Sequence, residues 1–198
     1  MMRVIAFTLL GVLACRELPD GPERVFEESF EDRCDGVPCG WSQSAGPDAA
    51  VRSVETFHPG EHGIELRGDG TTVLSPMGEV APAVLMFGSL EANLSARCTD
   101  ASLAIEVGLI DDATGISDTF RGRVSPPGDF ARSITALIGD RALVDGGLSG
   151  GIGGGAFEVR VNTVLLRLEG DGECVVDHLI IDDVNASVGP RPGPGAGC

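Results

Sequence analysis

The most constraining feature of this chain is a series of short segments in which every second residue is apolar, separated by Gly, Pro and Asp. The clearest segment is residues 101–110 (ASLAIEVGLI), where the odd-numbered positions are apolar and the even-numbered ones are smaller or more polar. A period of two buries one face of a β-strand. Helix signals are scarce, so the chain is predicted to form an all-β sandwich or barrel.

Further strands follow the same rule. Residues 157–161 (FEVRV) and 164–168 (VLLRL) place their apolar side chains on opposite parities, which predicts a turn or bulge at Asn162–Thr163. The segment DDATG, residues 111–115, is predicted to turn the chain. The remaining predicted strands are 25–30, 63–67, 83–87, 130–138, 141–145 and 174–181. Eight to ten strands in one domain predict a single β-sandwich of the jelly-roll type.

The two ends of the chain differ in composition from the middle. Residues 15–25 are predicted to be a short polar tether. Residues 189–198 (GPRPGPGAGC) are rich in Pro and Gly, which predicts a disordered tail. Residues 26–188 then form the folded part, which is long enough for one domain with its own core.

The N-terminal residues 1–14 resemble an export signal. One early positive charge, Arg3, precedes an apolar run from Val4 to Ala14. A membrane-spanning helix needs about 20 apolar residues, so this run is too short to be one. Its length is typical of the apolar region of a secretory signal peptide, which is removed from the mature protein.

The apolar run ends in VLAC, and this sequence resembles the lipobox of bacterial lipoproteins. In that family the cysteine, here Cys15, receives a diacylglycerol and becomes the new N-terminus. The resemblance implies a lipid-anchored protein of the bacterial cell envelope, at the outer membrane or the cell surface. Each buried methylene contributes about 0.8 kcal/mol, so two or three acyl chains would hold a soluble domain on a bilayer. The alternative is an ordinary signal peptide cut near Ala14.

The charge of the chain excludes two classes of partner. Without residues 1–14 it has 13 basic and 30 acidic residues, a net charge of −17, and every basic residue is Arg. Nucleic-acid binding requires clustered Lys and Arg to neutralise phosphates. Adsorption to anionic lipid headgroups requires the same. Neither partner is therefore expected, and the membrane would be reached only through the lipid anchor.

The cysteines are typical of an oxidising compartment. Cys34 and Cys39 are close together in RCDGVPCGW, where a disulfide would close a small loop. Cys98 and Cys174 each lie at the edge of a predicted strand, so a disulfide between them would join neighbouring strands. Cys198 is left over in the tail, and the pattern alone leaves the connectivity open. Zinc is disfavoured because no paired C-x-x-C follows.

Three motifs of enzymes occur without the structural context that they need. HPGEH, residues 58–62, fits H-x-x-E-H, but Pro59-Gly60 predicts a turn where the zinc enzymes have a helix. GLSGG (147–151) and GIGGGA (151–156) fit a nucleophile elbow and a dinucleotide fingerprint, and the next predicted element is a strand. We therefore predict a protein without catalytic residues.

Several segments resemble the galactose-binding-like jelly rolls, a superfamily that includes many carbohydrate-binding modules. The opening SFEDRCDGVPCGW has Phe30-Glu31 followed by Gly40-Trp41, as members of that superfamily often do. HPGEHGIELRGDG resembles their second region, and CVVDHLII resembles their closing strand. Together these pieces span most of residues 26–188. The sequence is also similar to lipoproteins of myxobacterial type.

The resemblance to this superfamily implies one structural Ca²⁺ where the first and last strands meet. It points to Glu31 and Asp177 as carboxylate ligands, with Asp182 and Asp183 as alternatives. A hard cation takes six to eight oxygens, which would include backbone carbonyls. The alternative interpretation is that these residues are solvated acids in an acid-rich chain.

A sugar site built on exposed aromatic rings is not expected, since the chain has one Trp and no Tyr. Trp41 is predicted to be an anchor of the core or of a loop. We predict a non-catalytic, envelope-anchored module that binds a glycan or a protein partner. The alternative is a structural or adhesion lipoprotein with no small-molecule site.

Overall fold

The structure is a computed structural model that describes residues 23–34, 37–44, 50–56, 61–75, 83–86, 90–140 and 156–184. The predicted signal peptide and tail, Cys15, Cys198, His58 and the predicted strand 141–145 lie outside these residues. Within them, all regular structure is β-strand, which confirms the all-β prediction. No helix of the described part is long and apolar enough to cross a membrane.

Fourteen strands occur in the described residues, several of them only two or three residues long. They are β1 (Glu23–Glu28), β2 (Arg33–Cys34), β3 (Val37–Pro38), β4 (Ser42–Ser44), β5 (Ala50–Glu55), β6 (His62–Arg67), β7 (Thr72–Leu74), β8 (Ala83–Met86), β9 (Leu90–Thr99), β10 (Ser102–Ile110), β11 (Ser117–Val124), β12 (Ala131–Gly139), β13 (Ala156–Glu169) and β14 (Glu173–Asp183).

Ten strands follow one another in a single curled sheet, in the order β4-β7-β13-β10-β11-β12-β9-β14-β6-β5. β1 pairs with β14, and β8 pairs with β13. The sheet turns a corner between β11 and β12, where only Phe120↔Gly139 and Arg121↔Ile138 are paired. The corner divides it into a first sheet (β1, β5, β6, β14, β9, β12) and a second sheet (β4, β7, β13, β10, β11), with β8 paired to the first residues of β13. The two form a β-sandwich of the jelly-roll type.

The core lies between the two sheets, because each long strand turns one parity of its side chains inward. Leu103, Ile105, Val107 and Leu109 of β10 are all 0% exposed. The inward residues of β9, β13 and β14 alternate in the same way and belong to the same hydrophobic cluster. Burial on that scale is the main favourable contribution to folding.

The register change predicted at Asn162–Thr163 is present as a bulge. Thr163 pairs with Gly108, and Val161 pairs with the next residue of β10, so Asn162 is the extra residue. β13 nevertheless continues through the bulge as one strand of 14 residues. A Cβ on Gly108 would lie 2.2 Å from Oδ1 of Asn162, so glycine leaves room for the bulged side chain.

Two long strands, β9 and β11, are absent from the predicted set, which held eight to ten strands. β11 reads SDTFRGRV and has only Phe120 and Val124 as large apolar residues facing the core. β9 alternates small and polar residues around Leu90 and Leu94. Both strands are identified by their partners in the sheet rather than by their own hydrophobicity.

Two disulfides join parts of the fold. Cys34 and Cys39 close the β2–β3 hairpin, with Cα atoms 4.7 Å apart. Cys98 and Cys174 lie opposite each other on β9 and β14, with Cα atoms 4.1 Å apart. Cys98 is 5% exposed and Cys174 is 0% exposed. The second bridge therefore joins two neighbouring strands of the first sheet near one of their ends, on the side that faces the core.

Trp41 is an anchor of the core, 7% exposed, as predicted. Its ring packs edge-on against Phe26 and at 5.3 Å from the ring of Phe30. The carboxylate of Glu28 accepts hydrogen bonds from Nε1 of Trp41 at 3.0 Å and from the backbone N–H of Phe30 at 2.8 Å. Phe30 has φ of 57°, a conformation that is uncommon for a bulky residue, and this contact holds it in place.

Candidate functional site

A connected set of arginines and glutamates lies on the outward face of the second sheet. The opposite parity of the same strands is buried in the core, so these side chains point away from it. We call this surface the ladder face. Its described residues are Leu74, Ser102, Ala104, Glu106, Arg121, Arg123, Leu165, Arg167 and Glu169.

Strand register places the ladder residues in two rows across β13, β10 and β11. Arg167, Ala104 and Arg123 form one row. Leu165, Glu106 and Arg121 form the next row, and Leu165 also pairs with Leu74 of β7. Adjacent strands lie about 4.8 Å apart, so the rows span about 19 Å over the five strands of this sheet.

Ion pairs and hydrogen bonds hold two of the three arginines in place. Nε of Arg123 donates to Oγ of Ser102 at 3.1 Å, and the Nη2 atom of Arg123 pairs with Glu169. Nη1 of Arg121 donates to both carboxylate oxygens of Asp140, at 3.0 and 2.8 Å. The hydrogen bond and charge of Asp140 raise the pKa of Arg121 above its ordinary value.

Arg167 occupies the centre of the network with looser contacts. Its Nη2 atom lies 3.8 Å from Oε1 of Glu106 and 3.8 Å from Oε1 of Glu169. Both distances are too long for hydrogen bonds. Among the described residues, the Arg167 guanidinium has no hydrogen-bond partner, and its side chain is 42% exposed, so another molecule can reach its N–H groups.

The three arginines of the ladder face are more exposed than its two glutamates. The side chains of Arg123, Arg121 and Arg167 are 66%, 50% and 42% exposed. Those of Glu106 and Glu169 are 29% and 28% exposed. At Arg123 and Arg167, a molecule that approaches the ladder face therefore meets guanidinium groups before the carboxylates of Glu106 and Glu169. At Arg121 it also meets the Asp140 carboxylate, which is 60% exposed.

The residues predicted to bind calcium meet at the start of β6. Oε1 of Glu31 accepts hydrogen bonds from the backbone N–H groups of Glu61 at 2.8 Å and His62 at 3.3 Å. Oε2 of Glu31 lies 3.2 Å from Nδ1 of His62. Asp177 is 1% exposed, and its Cα would lie 3.1 Å from a Cβ placed on Gly63. The structure thus places Glu31 and Asp177 against consecutive residues of β6.

The donor set around these two acids lacks further charged ligands. In the part of the chain that the structure describes, no three His, Cys, Asp or Glu side chains are placed to hold a metal ion together. Two carboxylates would need backbone carbonyls as the remaining oxygens, and the Glu31 carboxylate is bound to His62 and Glu61 instead. The calcium site stays a prediction.

The alternative ligand Asp182 belongs to a separate surface cluster. Its Oδ1 accepts a hydrogen bond from Nε of Arg24 at 3.0 Å, and Arg24 also pairs with Glu27. Nε2 of His178 lies 3.0 Å from Oε1 of Glu27, which joins β14 to β1. The hydrogen bond with His178 and the charge of Arg24 lower the pKa of Glu27 below its ordinary value. Asp183, the other alternative, is 0% exposed.

The enzyme motifs do not acquire the context that their chemistry needs. His62 is the first residue of strand β6, whereas an H-x-x-E-H site places its histidines on a helix. His58 lies outside the described residues, as do residues 147–155. The second glycine motif leads into strand β13 at Ala156, where a dinucleotide fingerprint requires a helix N-terminus.

Sequence reasoning missed the residues of the ladder face. The alternation of residues 101–110 does place Glu106 on the face opposite the core residues, and RGR at 121–123 has the same period of two. These residues come together on one face because of the register in which β11 and β13 pair with β10. That register depends on pairing between segments far apart in the chain, and no single segment encodes it.

Comparison with known proteins gives structural likenesses only. No family model matches this chain, and no curated protein matches it. A xylan-binding domain, family 22 carbohydrate-binding module 1 of a Paenibacillus barcinonensis xylanase, is 12% identical with a TM-score of 0.45. The match covers 84% of this chain and 97% of that chain. A family 11 carbohydrate-binding module of Clostridium thermocellum, solved with a mixed-linked tetrasaccharide, is 11% identical with a TM-score of 0.45. That match covers 82% and 96% of the two chains.

A third solved structure joins such a module to a catalytic domain. It contains the family 22 and family 10 modules of Clostridium thermocellum xylanase 10B with xylohexaose, and it is 16% identical to this chain with a TM-score of 0.48. The match covers 83% of this chain but only 29% of that one, so this chain spans less than a third of its length.

Proposed function

We propose that this protein is a non-catalytic glycan-binding module and that the ladder face is its binding surface. The observation that carries the proposal is the network of Arg121, Arg123, Arg167, Glu106 and Glu169 on the central strands of one sheet. Sugar hydroxyls both donate and accept hydrogen bonds. The ladder face offers guanidinium donors beside carboxylate acceptors, which is the complementary arrangement.

Much of this surface is held in one arrangement before a ligand arrives. Ser102 and Glu169 fix Arg123, and Asp140 fixes Arg121 with two hydrogen bonds. Side chains that are already ordered lose less conformational entropy on binding. Leu74 and Leu165 lie in the same row and are partly buried, so they offer apolar surface beside the polar groups.

A glycan suits the ladder face better than a protein partner does. The centre of a protein interface is depleted in charged residues and enriched in aromatic ones. The ladder face has charged residues at its centre, and its described residues include no aromatic side chain. Recognition would therefore rest on hydrogen bonds to hydroxyl groups rather than on stacking of sugar rings, in keeping with the single, buried Trp41.

The proposal also includes the cellular location predicted from residues 1–15. A lipid on Cys15 would hold the domain at the bacterial envelope. The predicted tether, residues 15–25, overlaps the start of β1 (Glu23–Glu28), so only its part before Glu23 would link the lipid to the sheet. Metabolic labelling with a palmitate analogue tests this part separately. We expect label on the wild-type chain and none on the Cys15→Ser variant. An unlabelled wild type would contradict the lipid anchor and leave the binding surface unaffected.

Retention of the purified chain in gels that contain single polysaccharides tests the binding function. We expect saturable retention by at least one glycan and loss of most of it in the Glu106→Ala/Arg121→Ala double variant. The matched control is Arg132→Ala. Arg132 lies on β12 of the first sheet, away from the ladder face, and its guanidinium donates to Oδ1 of Asn93 on β9. Equal retention of the two variants would overturn the assignment to the ladder face. No retention of folded wild type by any glycan would overturn the function.

A further inference from the structure

We propose that the glycan bound by the ladder face is anionic and that Arg167 binds its carboxylate or sulfate groups. This inference rests on the proposed function, because it names the chemical class of ligand for the same surface. It comes from three observations: the exposure of Arg123 and Arg167 relative to the glutamates, the lack of a hydrogen-bond partner for Arg167 among the described residues, and the position of Arg123.

The outermost charges of the ladder face around Arg123 and Arg167 are positive, whereas Arg121 is paired with the exposed carboxylate of Asp140. The two glutamates have about half the fractional exposure of the arginines. A neutral sugar gains little from this order of charges. An acidic sugar would meet the guanidinium groups of Arg123 and Arg167 first, and charge-assisted hydrogen bonds are about twice as strong as neutral ones.

Of the three ladder arginines, Arg167 is the one without a hydrogen-bond partner in the part of the chain that the structure describes. Its nearest carboxylate oxygens, on Glu106 and Glu169, are 3.8 Å away, so these contacts contribute attraction without occupying the N–H groups. A planar guanidinium matches a carboxylate or a sulfate with two parallel N–H···O bonds. A ligand group placed there would also complete the hydrogen bonding of Arg167.

The neighbouring row position provides a second guanidinium. Arg167 and Arg123 pair with the same residue, Ala104, from either side, so their Cα atoms lie about 10 Å apart. Ala104 is 8% exposed although it faces outward, as expected if the arginine stems cover it. The side chains of Arg123 and Arg167 lie on either side of the Ala104 methyl group, and both are long enough to contact one acidic substituent of the glycan.

The negative charge of the whole protein does not prevent this interaction at physiological salt. Thirty acidic residues repel a polyanion at long range, but the Debye length at 0.15 M ionic strength is about 8 Å. Charges beyond that distance are largely screened, whereas the contact at Arg167 is direct.

The test compares polygalacturonate with two uncharged relatives of it, its methyl ester and its carboxyl-reduced galactan, in affinity gels at 0.15 M salt. We expect the acid form to bind at least tenfold more tightly than either neutral form. Arg167→Gln should abolish most of that preference, Arg167→Lys should keep part of it, and Arg132→Gln should leave it unchanged. A sulfated galactan and its desulfated form distinguish sulfate from carboxylate as the source of the charge.

Every result of this test either supports or overturns the proposal of an anionic glycan. Tighter binding of the carboxylated or the sulfated glycan than of its neutral form, lost when Arg167 is replaced by Gln, supports the proposal. Equal or tighter binding of the neutral forms overturns it while the proposed function stands. An acid preference that persists in a folded Arg167→Gln variant also overturns it. Binding of none of the five glycans by folded wild type overturns the inference and counts against the proposed function as well.

Discussion

Cys98 on β9 and Cys174 on β14 lie directly opposite each other, and the disulfide between them is buried in the core of the sandwich. The two residues are 76 positions apart in sequence, against 5 for Cys34 and Cys39. A cross-link reduces the entropy of the unfolded chain, and the effect grows with the length of the loop that it closes. The two bridges should therefore differ in their contribution to stability.

We predict that replacing both Cys98 and Cys174 by Ala lowers the free energy of unfolding by about 4–5 kcal/mol. The Cys34→Ala/Cys39→Ala variant is the matched comparison, with an expected loss of about 2 kcal/mol. Urea unfolding at equilibrium measures both. Equal losses, or a larger loss for the short loop, would contradict the assignment of the main cross-link to the pair inside the core.

Glu28 should be needed to hold Trp41 and Phe30 in the core. Replacement of Glu28 by Ala leaves Nε1 of Trp41 and the N–H of Phe30 without their acceptor, at an expected cost of about 2–3 kcal/mol. The fluorescence emission maximum of Trp41, the single tryptophan, should shift to longer wavelength because water reaches the ring. Glu55→Ala, at an exposed position of β5, should change stability by less than about 0.5 kcal/mol. Unchanged emission in the Glu28 variant would show that the contact has no structural role.

The free energy of unfolding should decrease at acidic pH, partly because Glu27 becomes protonated. Its pKa is lowered in the folded protein, first by the hydrogen bond with His178 and then by Arg24. The folded state therefore takes up this proton less readily than the unfolded state. The stabilisation is complete above the ordinary glutamate pKa of 4.5 and is lost as the pH falls through the lower folded value.

The His178→Ala variant should accordingly show a shallower loss of stability below about pH 4.5 than wild type. Thermal melts between pH 3 and pH 6 measure this slope. The double variant Glu27→Gln/His178→Ala provides the check, since it should behave like Glu27→Gln alone. A further change of slope in the double variant would mean that His178 acts through a different group.

The calcium prediction has a direct thermal test. If Glu31 and Asp177 hold Ca²⁺ with backbone carbonyls, calcium at about 100 times its Kd should add about 2.7 kcal/mol to the stability of chelator-treated protein. That gain corresponds to a rise in Tm of several degrees. Asp177→Asn should abolish the rise, and Asp182→Asn, which alters the pair with Arg24, should keep it. An identical Tm with calcium and with chelator would exclude the site.

The sequence allowed the core to be predicted better than the surface. The alternation in residues 101–110 depends only on neighbouring positions, and this segment forms β10, in which Leu103, Ile105, Val107 and Leu109 are fully buried. Residues 174–181, also predicted as a strand, lie in β14, where the pairing with β9 shifts between Val176 and His178. The bulge at Asn162–Thr163 was predictable for the same local reason. Trp41 was predictable as an anchor because it follows a short disulfide loop in a chain with few aromatic residues.

The ladder face could not be predicted because it depends on long-range register. Arg123 and Arg167 are 44 positions apart, and only their shared pairing with Ala104 brings them to one row. β11, which carries Arg121 and Arg123, has so few large apolar residues that its sequence is not typical of a strand. A shift of one residue in its pairing would turn both arginines toward the core, so register decides whether the face exists.

Amide chemical shifts measured by NMR during titration with the polysaccharide that retains the protein most strongly test the central claim most directly. The largest changes should fall on residues 102–106, 121–123 and 165–169, with little change on β1 or β14. Glu106→Ala/Arg121→Ala should remove these changes without unfolding the domain. Saturable changes concentrated around Arg24, His178 and Asp182, with the ladder face unaffected, would contradict the account.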